Sequence, residues 1–380
     1  MRLRQIKRPQ GGGWRMIRRC VIFFTAICFI PVFLVFMVAT DHYVRPERHR
    51  MISFNMQRPF RENSNLNQAL ESVGNHNMSL VLKRLELRRK HLKAACHMLG
   101  LDKPSNDSLH SPNPWEYLVD HRHHMVWCNV FKAASTSWMY NFNILAGYTP
   151  EYLRGSRTPP LTLARQKYGR PTLESLQDAL KDEKSVSFLI VRHPLERLLS
   201  AYRDKIQHAV SGSYHFKLGR EIIKKYRKKE TIGPKYPTYP EFITWLIDMV
   251  KEGKQLDMHW TPIVEFCTPC MFDIKIIAHT ETLEDDQDYI IKRAGLGEVI
   301  KPEWKNAGKG STTAHISSHY SQLSRSQILQ LYHIYRFDFE LFNYSLNGYL
   351  EVGQPDEDPS DILAAINMKD NKPNSIPHVY

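Results

Sequence analysis

Two apolar runs stand out in the middle of the chain, and each ends on a cation. Residues 126–131 read as a buried strand that stops at Lys132. Residues 186–191 form a continuous apolar run of the kind buried on both faces of a parallel sheet, and they stop at Arg192. After each run the spacing changes from strand to helix. Trp138, Phe142 and Leu145 keep helical spacing behind the first, and Leu195, Leu198, Leu199 and Tyr202 behind the second, where Pro194 can open the helix. Further on, 241–250 predicts an amphipathic helix, 274–278 an apolar strand, and 281–288 an acidic helix start that suits the helix dipole. The run 328–342 predicts a helix whose Tyr332, Tyr335, Phe339 and Phe342 belong to the core. Alternating strands and helices predict an α/β fold, a P-loop-like parallel sheet flanked by helices.

The N-terminal pattern differs. Residues 20–40 are uncharged and almost wholly apolar, about the length of a bilayer core, behind a tail with seven cations and no acid. This predicts a single transmembrane signal anchor, a membrane-anchored type II protein with its remainder lumenal. The expected layout is a basic cytosolic tail at 1–19, the anchor at 20–40, a stem at 41–114, one catalytic domain at 115–350 and a disordered tail at 351–380. Residues 80–99 have helical apolar spacing with many basic residues, which predicts a solvated stem helix. Asn77, Asn106 and Asn343 open glycosylation triplets, making a glycoprotein. Four cysteines follow the apolar segment, Cys96, Cys128, Cys267 and Cys270; two disulfides are expected, with three pairings open.

Charge narrows the ligand. Formal net charge is +13, and removing the seven N-terminal cations leaves +6. That excess favours anionic ligands, while no repeat or motif points to nucleic acid. The basic stretch 217–229 reads either as a solvated charge run or as a surface lining an anionic substrate. The chemistry concentrates at Lys132-Ala133-Ala134-Ser135-Thr136-Ser137-Trp138. Strand, small-residue loop and helix start are how backbone N–H groups are aimed at a phosphate. The lysine adds a point charge and the hydroxyls add donors. The Gly-x4-Gly-Lys-Ser/Thr spacing is absent, which excludes a Walker-type kinase. Arg192 also follows a strand, so it and the Lys132 loop can meet over one ligand at the carboxyl edge of the sheet.

Together these stretches resemble the Golgi carbohydrate sulfotransferases, in the branch with the chondroitin and dermatan 4-O-sulfotransferases and the HNK-1 sulfotransferase. The resemblance rests on Lys-x-x-Ser-Thr-Ser-Trp, on Val-Arg-His-Pro-x-Glu-Arg-Leu-x-Ser-Ala-Tyr-Arg-Asp-Lys, and on His-Trp followed by Cys-x-Pro-Cys. Leu-Tyr-x-x-Tyr-x-x-Asp-Phe-x-x-Phe-x-Tyr at 331–344 completes it. It implies transfer of sulfuryl from 3′-phosphoadenosine 5′-phosphosulfate (PAPS) to a sugar hydroxyl, with no metal, at the Golgi membrane. The acceptor would be a glycosaminoglycan or glycoprotein glycan. Lys132, Ser135, Thr136 and Ser137 would hold the 5′-phosphosulfate, with Ala133, Ala134 and Trp138 completing that loop; Arg192 and Ser200 would hold the 3′-phosphate. Two departures are plain. Many relatives carry glycine where Ala134 stands, and no histidine lies between Trp138 and Ser187, where uronyl 2-O-sulfotransferases supply theirs.

Sulfuryl transfer needs charge stabilisation on the leaving oxygen, which suits Lys132, and a general base for the sugar hydroxyl, which suits histidine. Among His208, His215, His259, His279, His315, His319 and His333, the Asp-x-His-Trp segment selects His259. Glu265 and Glu241 are the carboxylate alternatives, and His193 reads as structural. The competing class is a non-catalytic protein that binds sulfated glycans through its basic segments.

Overall fold

The computed structural model describes residues 78–301 and 315–366. All of them lie within one unit, Arg58–Tyr380. The sheet has four strands in the order β1-β2-β3-β4. β1 (Tyr117–Asp120) and β2 (Met125–Cys128) pair antiparallel, whereas β3 (Val186–Val191) and β4 (Ile276–His279) continue the sheet in parallel. The sheet is therefore mixed rather than wholly parallel. A tight turn forces the antiparallel edge: Asp120 accepts from the amides of Arg122 and His123 at 3.1 Å each, and His124 takes φ 54°.

β2 and β3 are buried along their whole length, as their uninterrupted apolar runs require. β2 stops at Cys128, three residues before the apolar run does. Its last residue is held by a disulfide, and the chain then folds back, with the Val130 amide donating to the Cys128 carbonyl at 3.0 Å. The crossover to β3 runs through α2 (Ser135–Leu145), α3 (Pro150–Gly155), α4 (Pro160–Lys167) and α5 (Leu173–Lys181). After β3 come α6 (Pro194–Ala201) and a π-helical turn, Tyr202–Gln207, then α7 (Tyr214–Tyr226), α8 (Tyr239–Lys251) and α9 (Ile263–Cys267). α10 (Leu283–Arg293) follows β4, and α11 (Ile316–Tyr320), α12 (Arg325–Leu341), α13 (Asn347–Val352) and α14 (Pro359–Ile366) close the order. One apolar cluster surrounds the sheet. A second joins α6, α7, α8 and α12 around Trp260, Tyr320 and Tyr335.

Helix α1 (Met78–Met98) corrects the expectation of a solvated stem helix. Val81, Leu85, Leu92 and Ala95 are buried in the sheet core. Four of its cations are paired: Arg84 and Arg88 each reach Asp286 of α10 at 2.7 Å, and Arg89 and Lys93 each reach Asp273 at 2.8 Å. Cys96 of α1 is bonded to Cys270, and Cys128 at the end of β2 to Cys267. The two cysteines of Cys-Thr-Pro-Cys thus serve two different partners, which excludes a redox pair or half a zinc site. The described part of the expected disordered tail, residues 351–366, is folded. Gln354 bridges to Ser324, and α14 packs on α12.

The expected membrane anchor is corrected as well. Among the described residues no helix is long and apolar enough to cross a membrane. The segment 20–40, together with the basic tail and Asn77, lies outside the described residues. The single-pass, membrane-anchored Golgi placement is accordingly not carried forward. Asn106 and Asn343 are exposed.

Asp286 is wholly buried and takes both guanidiniums, the Thr282 hydroxyl at 2.7 Å and the His279 amide at 3.0 Å. Removing it strands two cations at a buried seam. Asp286→Ala should lower unfolding free energy by about 3–5 kcal/mol in urea titrations. A loss below about 1 kcal/mol would show that the seam between α1 and α10 does not hold the fold.

Candidate active site

The chain leaves β2 at Cys128 and enters α2 at Ser135 through a strained loop. Lys132 has φ 69° and Ala134 φ 58°, two left-handed residues in three positions, each bearing a Cβ. Such conformations cost about 1–2 kcal/mol apiece, and the Ala133 amide between them donates to the Val130 carbonyl at 3.3 Å. Ala134 is the N-cap of α2 and has no side chain that can accept from the first-turn amides. α3, α5, α7, α8 and α12 are each capped by a Ser or Thr oxygen, whereas α4, α6, α9, α10, α11 and α13, like α2, have no side-chain cap. The start of α2 therefore offers donors to an external acceptor. Ser135 is half-buried, Thr136 exposed and Ser137 buried. The Ala133 methyl and the Trp138 indole lie in the core, the indole against Trp127 and Phe188, so these two residues can face a ligand only through the backbone.

Arg192 stands one residue beyond β3. Its guanidinium donates to Glu196 at 3.1 Å and to the Lys132 carbonyl at 3.5 Å, so the ends of the two strands meet as the sequence predicts. Ser200, half-buried, lies one turn beyond Glu196 on α6. The Lys132 ammonium donates to Asp204 at 3.0 Å, and Lys205 reaches the same carboxylate at 3.3 Å. Burial pulls the Lys132 pKa below its ordinary value despite the Asp204 carboxylate. Burial would raise Asp204, but Lys132 and Lys205 outweigh it and hold the carboxyl below the usual range. Both Asp204 and Lys205 sit in the π-helical turn, which rotates them relative to α6.

His259 joins this group through Phe131, whose ring packs 4.7 Å from the imidazole. His259 Nδ1 donates to Asp257 at 2.6 Å, and His215 Nε2 donates to the other oxygen of the same carboxylate at 3.2 Å. With Nδ1 bearing its proton toward Asp257, neutral His259 keeps its lone pair on Nε2. Burial is the main cause that lowers the His259 pKa, opposed by Asp257 and assisted by Lys205. Among the described residues, His215, Asp257 and His259 form a group whose ligand atoms lie within 4.8 Å of one another. Their contacts here are hydrogen bonds. Behind them, buried Arg197 donates to the carbonyls of His259 and Thr261, and Tyr335 donates to that of Trp260 at 2.6 Å, fixing the segment that carries the imidazole.

The carboxylate alternatives divide. Glu241 is taken up by the capping box of α8 and by Arg227 at 2.8 Å, which leaves it a structural role. Burial, with Asp338 nearby, pushes Glu265 up to about 7. His193 is buried, donates to the Ser345 carbonyl at 3.0 Å and stacks on Tyr349; burial holds its pKa near 4. Asp204, Lys205 and Arg197 were not singled out by sequence. The Tyr-Arg-Asp-Lys end of the second motif already contained the first two.

Residues 115–345 match the profile of the sulfotransferase family. The chain belongs to that family and is a sulfotransferase, with PAPS-dependent chemistry. It is similar to carbohydrate sulfotransferase 11 of Rattus norvegicus, 30% identical over 255 residues, covering 64% of this chain and 71% of the relative. Carbohydrate sulfotransferase 10 of Gallus gallus is 29% identical over 291 residues, 72% of this chain and 78% of the relative. Carbohydrate sulfotransferase 8 of Homo sapiens is 30% identical over 240 residues, 60% of this chain and 55% of the relative. No solved structure matches. These relatives place the chain among carbohydrate sulfotransferases without selecting the chondroitin/dermatan or HNK-1 branch.

The left-handed geometry at Ala134 generates a test. Ala134→Gly removes the Cβ from a position that glycine adopts freely, and should keep both thermal stability and PAPS affinity. Ala134→Val should lower stability by more than about 1 kcal/mol and weaken PAPS binding in calorimetry. Equal behaviour of all three proteins would mean that the loop does not need this backbone.

Proposed function

We propose that this sulfotransferase moves the sulfuryl group of PAPS to a hydroxyl of a glycan, with a chondroitin/dermatan-type glycosaminoglycan as acceptor. The observation that carries the reading is that Phe131, the neighbour of Lys132, packs on His259, with Arg192 touching the same loop. The relatives' names supply the carbohydrate, and the basic balance of the chain favours an anionic one. The intact donor motifs set aside a protein that only binds sulfated glycans.

In this reading the α2 amides and the hydroxyls of Ser135, Thr136 and Ser137 hold the 5′-phosphosulfate, while Arg192 and Ser200 hold the 3′-phosphate. His259 Nε2 takes the proton of the sugar hydroxyl as its oxygen bonds to sulfur. The bond from sulfur to the bridging phosphate oxygen breaks, and adenosine 3′,5′-bisphosphate leaves with the electron pair. Lys132 exchanges Asp204 for that bridging oxygen and stabilises the charge that develops there. Asp257 holds the imidazole in the tautomer with Nε2 free and stabilises the imidazolium after proton transfer. Positioning supplies the rest of the acceleration.

Radiolabelled sulfate transfer to desulfated chondroitin, dermatan and heparan panels tests the acceptor and the roles together. Lys132→Ala should reduce turnover by roughly 10²–10³. His259→Ala should reduce it by roughly 10²–10⁴ with donor affinity kept. Near-normal turnover of His259→Ala would remove that residue from the mechanism and leave Glu265 as the base.

The pH profile is a separate check. A base must be neutral to work, and burial lowers the His259 pKa. Activity should therefore persist as pH falls through the ordinary histidine value of about 6.5, and be lost only below it. A limb centred above that value would exclude His259.

A further inference from the structure

Helix α7 starts beside the candidate active site and carries an exposed row of cations away from it. Leu218, Gly219 and Ile222 are its buried residues, and His215 turns inward to Asp257. At about 100° per residue, Lys217, Arg220 and Lys224 fall within an arc of about 60° opposite that buried face. All three are exposed, and they span about 10 Å along the axis. Among the described residues none of the three has an ion-pair partner, whereas neighbouring Lys225 reaches Glu252 at 3.8 Å and Arg227 reaches Glu241 at 2.8 Å. Glu221 is the one acid on the helix, and it too is exposed. The helix dipole accounts for Lys224 in the last turn. It does not account for Lys217, which closes a first turn that contains no acid, where a cation is disfavoured. Tyr214, 65% exposed, joins the row to the site: its ring stands 5.1 Å from that of His215.

We infer that α7 is the acceptor-reading helix, binding a linear anionic glycan with Lys217, Arg220 and Lys224 on its carboxylates and Tyr214 against a sugar face next to the reacting hydroxyl. This rests on the sulfotransfer reading above and adds the surface and the chemistry it selects. A polysaccharide bearing one uronate per disaccharide presents negative charge in a line, as the helix presents positive charge. Continuity with the His215–Asp257–His259 group favours it over a lipid surface or a nucleic acid, neither of which needs to reach that group.

The test uses the full chain with Lys217→Ala, Arg220→Ala and Lys224→Ala combined, and Tyr214→Ala separately. For polymeric desulfated chondroitin the triple variant should raise KM about tenfold and flatten its dependence on salt. PAPS affinity, the melting temperature and KM for a short uncharged oligosaccharide acceptor should stay at wild-type values. Tyr214→Ala should raise KM for charged and uncharged acceptors alike. An unchanged KM for the polymer in the triple variant overturns the proposal. So does loss of binding to phosphatidylserine vesicles or single-stranded DNA with the glycan KM intact. If the wild type binds PAPS but sulfates no glycan, the acceptor assignment fails on its own. Direct binding of unsulfated chondroitin, measured by fluorescence anisotropy, then decides the role of the row: weaker binding by the triple variant supports it, and equal binding overturns it.

Discussion

The bond between Cys128 and Cys267 is the constraint on which the site's geometry depends. It joins the last residue of β2 to the last residue of α9. Lys132 follows one end by four residues, and His259 precedes the other by eight. Neither residue belongs to a regular element that could hold it against the other across so many residues. A covalent link at the base of both segments does so, and its loop, closed over a sequence separation of 139, restricts the unfolded chain as well. Cys96–Cys270 then ties the same short segment to α1, so the turn behind His259 is held from two sides.

Around that link, burial and charge are set against each other. Lys132 and His259 are both pulled toward their neutral forms by burial, and each is held by a carboxylate that favours the charged form, Asp204 and Asp257. Arg197 and Asp338 repeat the arrangement one layer deeper, where Asp338 accepts the amides of Ile263 and Val264 at the start of α9. Arg197, Asp257 and Asp338 each also secure a piece of backbone. The strained residues of the Lys132 loop sit on top of this layer, which holds them in place.

The parts of the fold that a sequence can show are those governed by short-range periodicity. β3 with Arg192 at its end, the helices after both strands and the presence of β2 were legible because neighbours in sequence decide them, although the apolar run overshot the end of β2 at Cys128. α1 was misread because the partners that neutralise Arg84, Arg88 and Arg89 lie some two hundred residues away, and a basic helix without visible partners looks solvated. β1 was missed because its Tyr117–Val119 stands alone, whereas the equally short β2 and β4 lie within longer apolar runs. In the site, the motif carried Lys132, Arg192 and His259. The π-helical turn that swings Asp204 toward Lys132 has no local signature, and the pairing of four cysteines is a property of the folded chain.

Lys132 and Arg192, the two cations proposed to hold the donor, are each paired with a carboxylate. A loop with free amides, a lysine and an arginine would attract any small anion, and sulfate or phosphate would occupy it unproductively. With Asp204 on the ammonium and Glu196 on the guanidinium, these two cations carry their own counter-ions. An anion that bridged Lys132 and Arg192 would displace both carboxylates. A ligand with charge at both ends of the cleft can do that, whereas a single inorganic ion engages one end and leaves the other pair closed. On the proposed roles of Lys132 and Arg192, these salt bridges would favour a doubly anionic nucleotide over the simpler ions that resemble its parts.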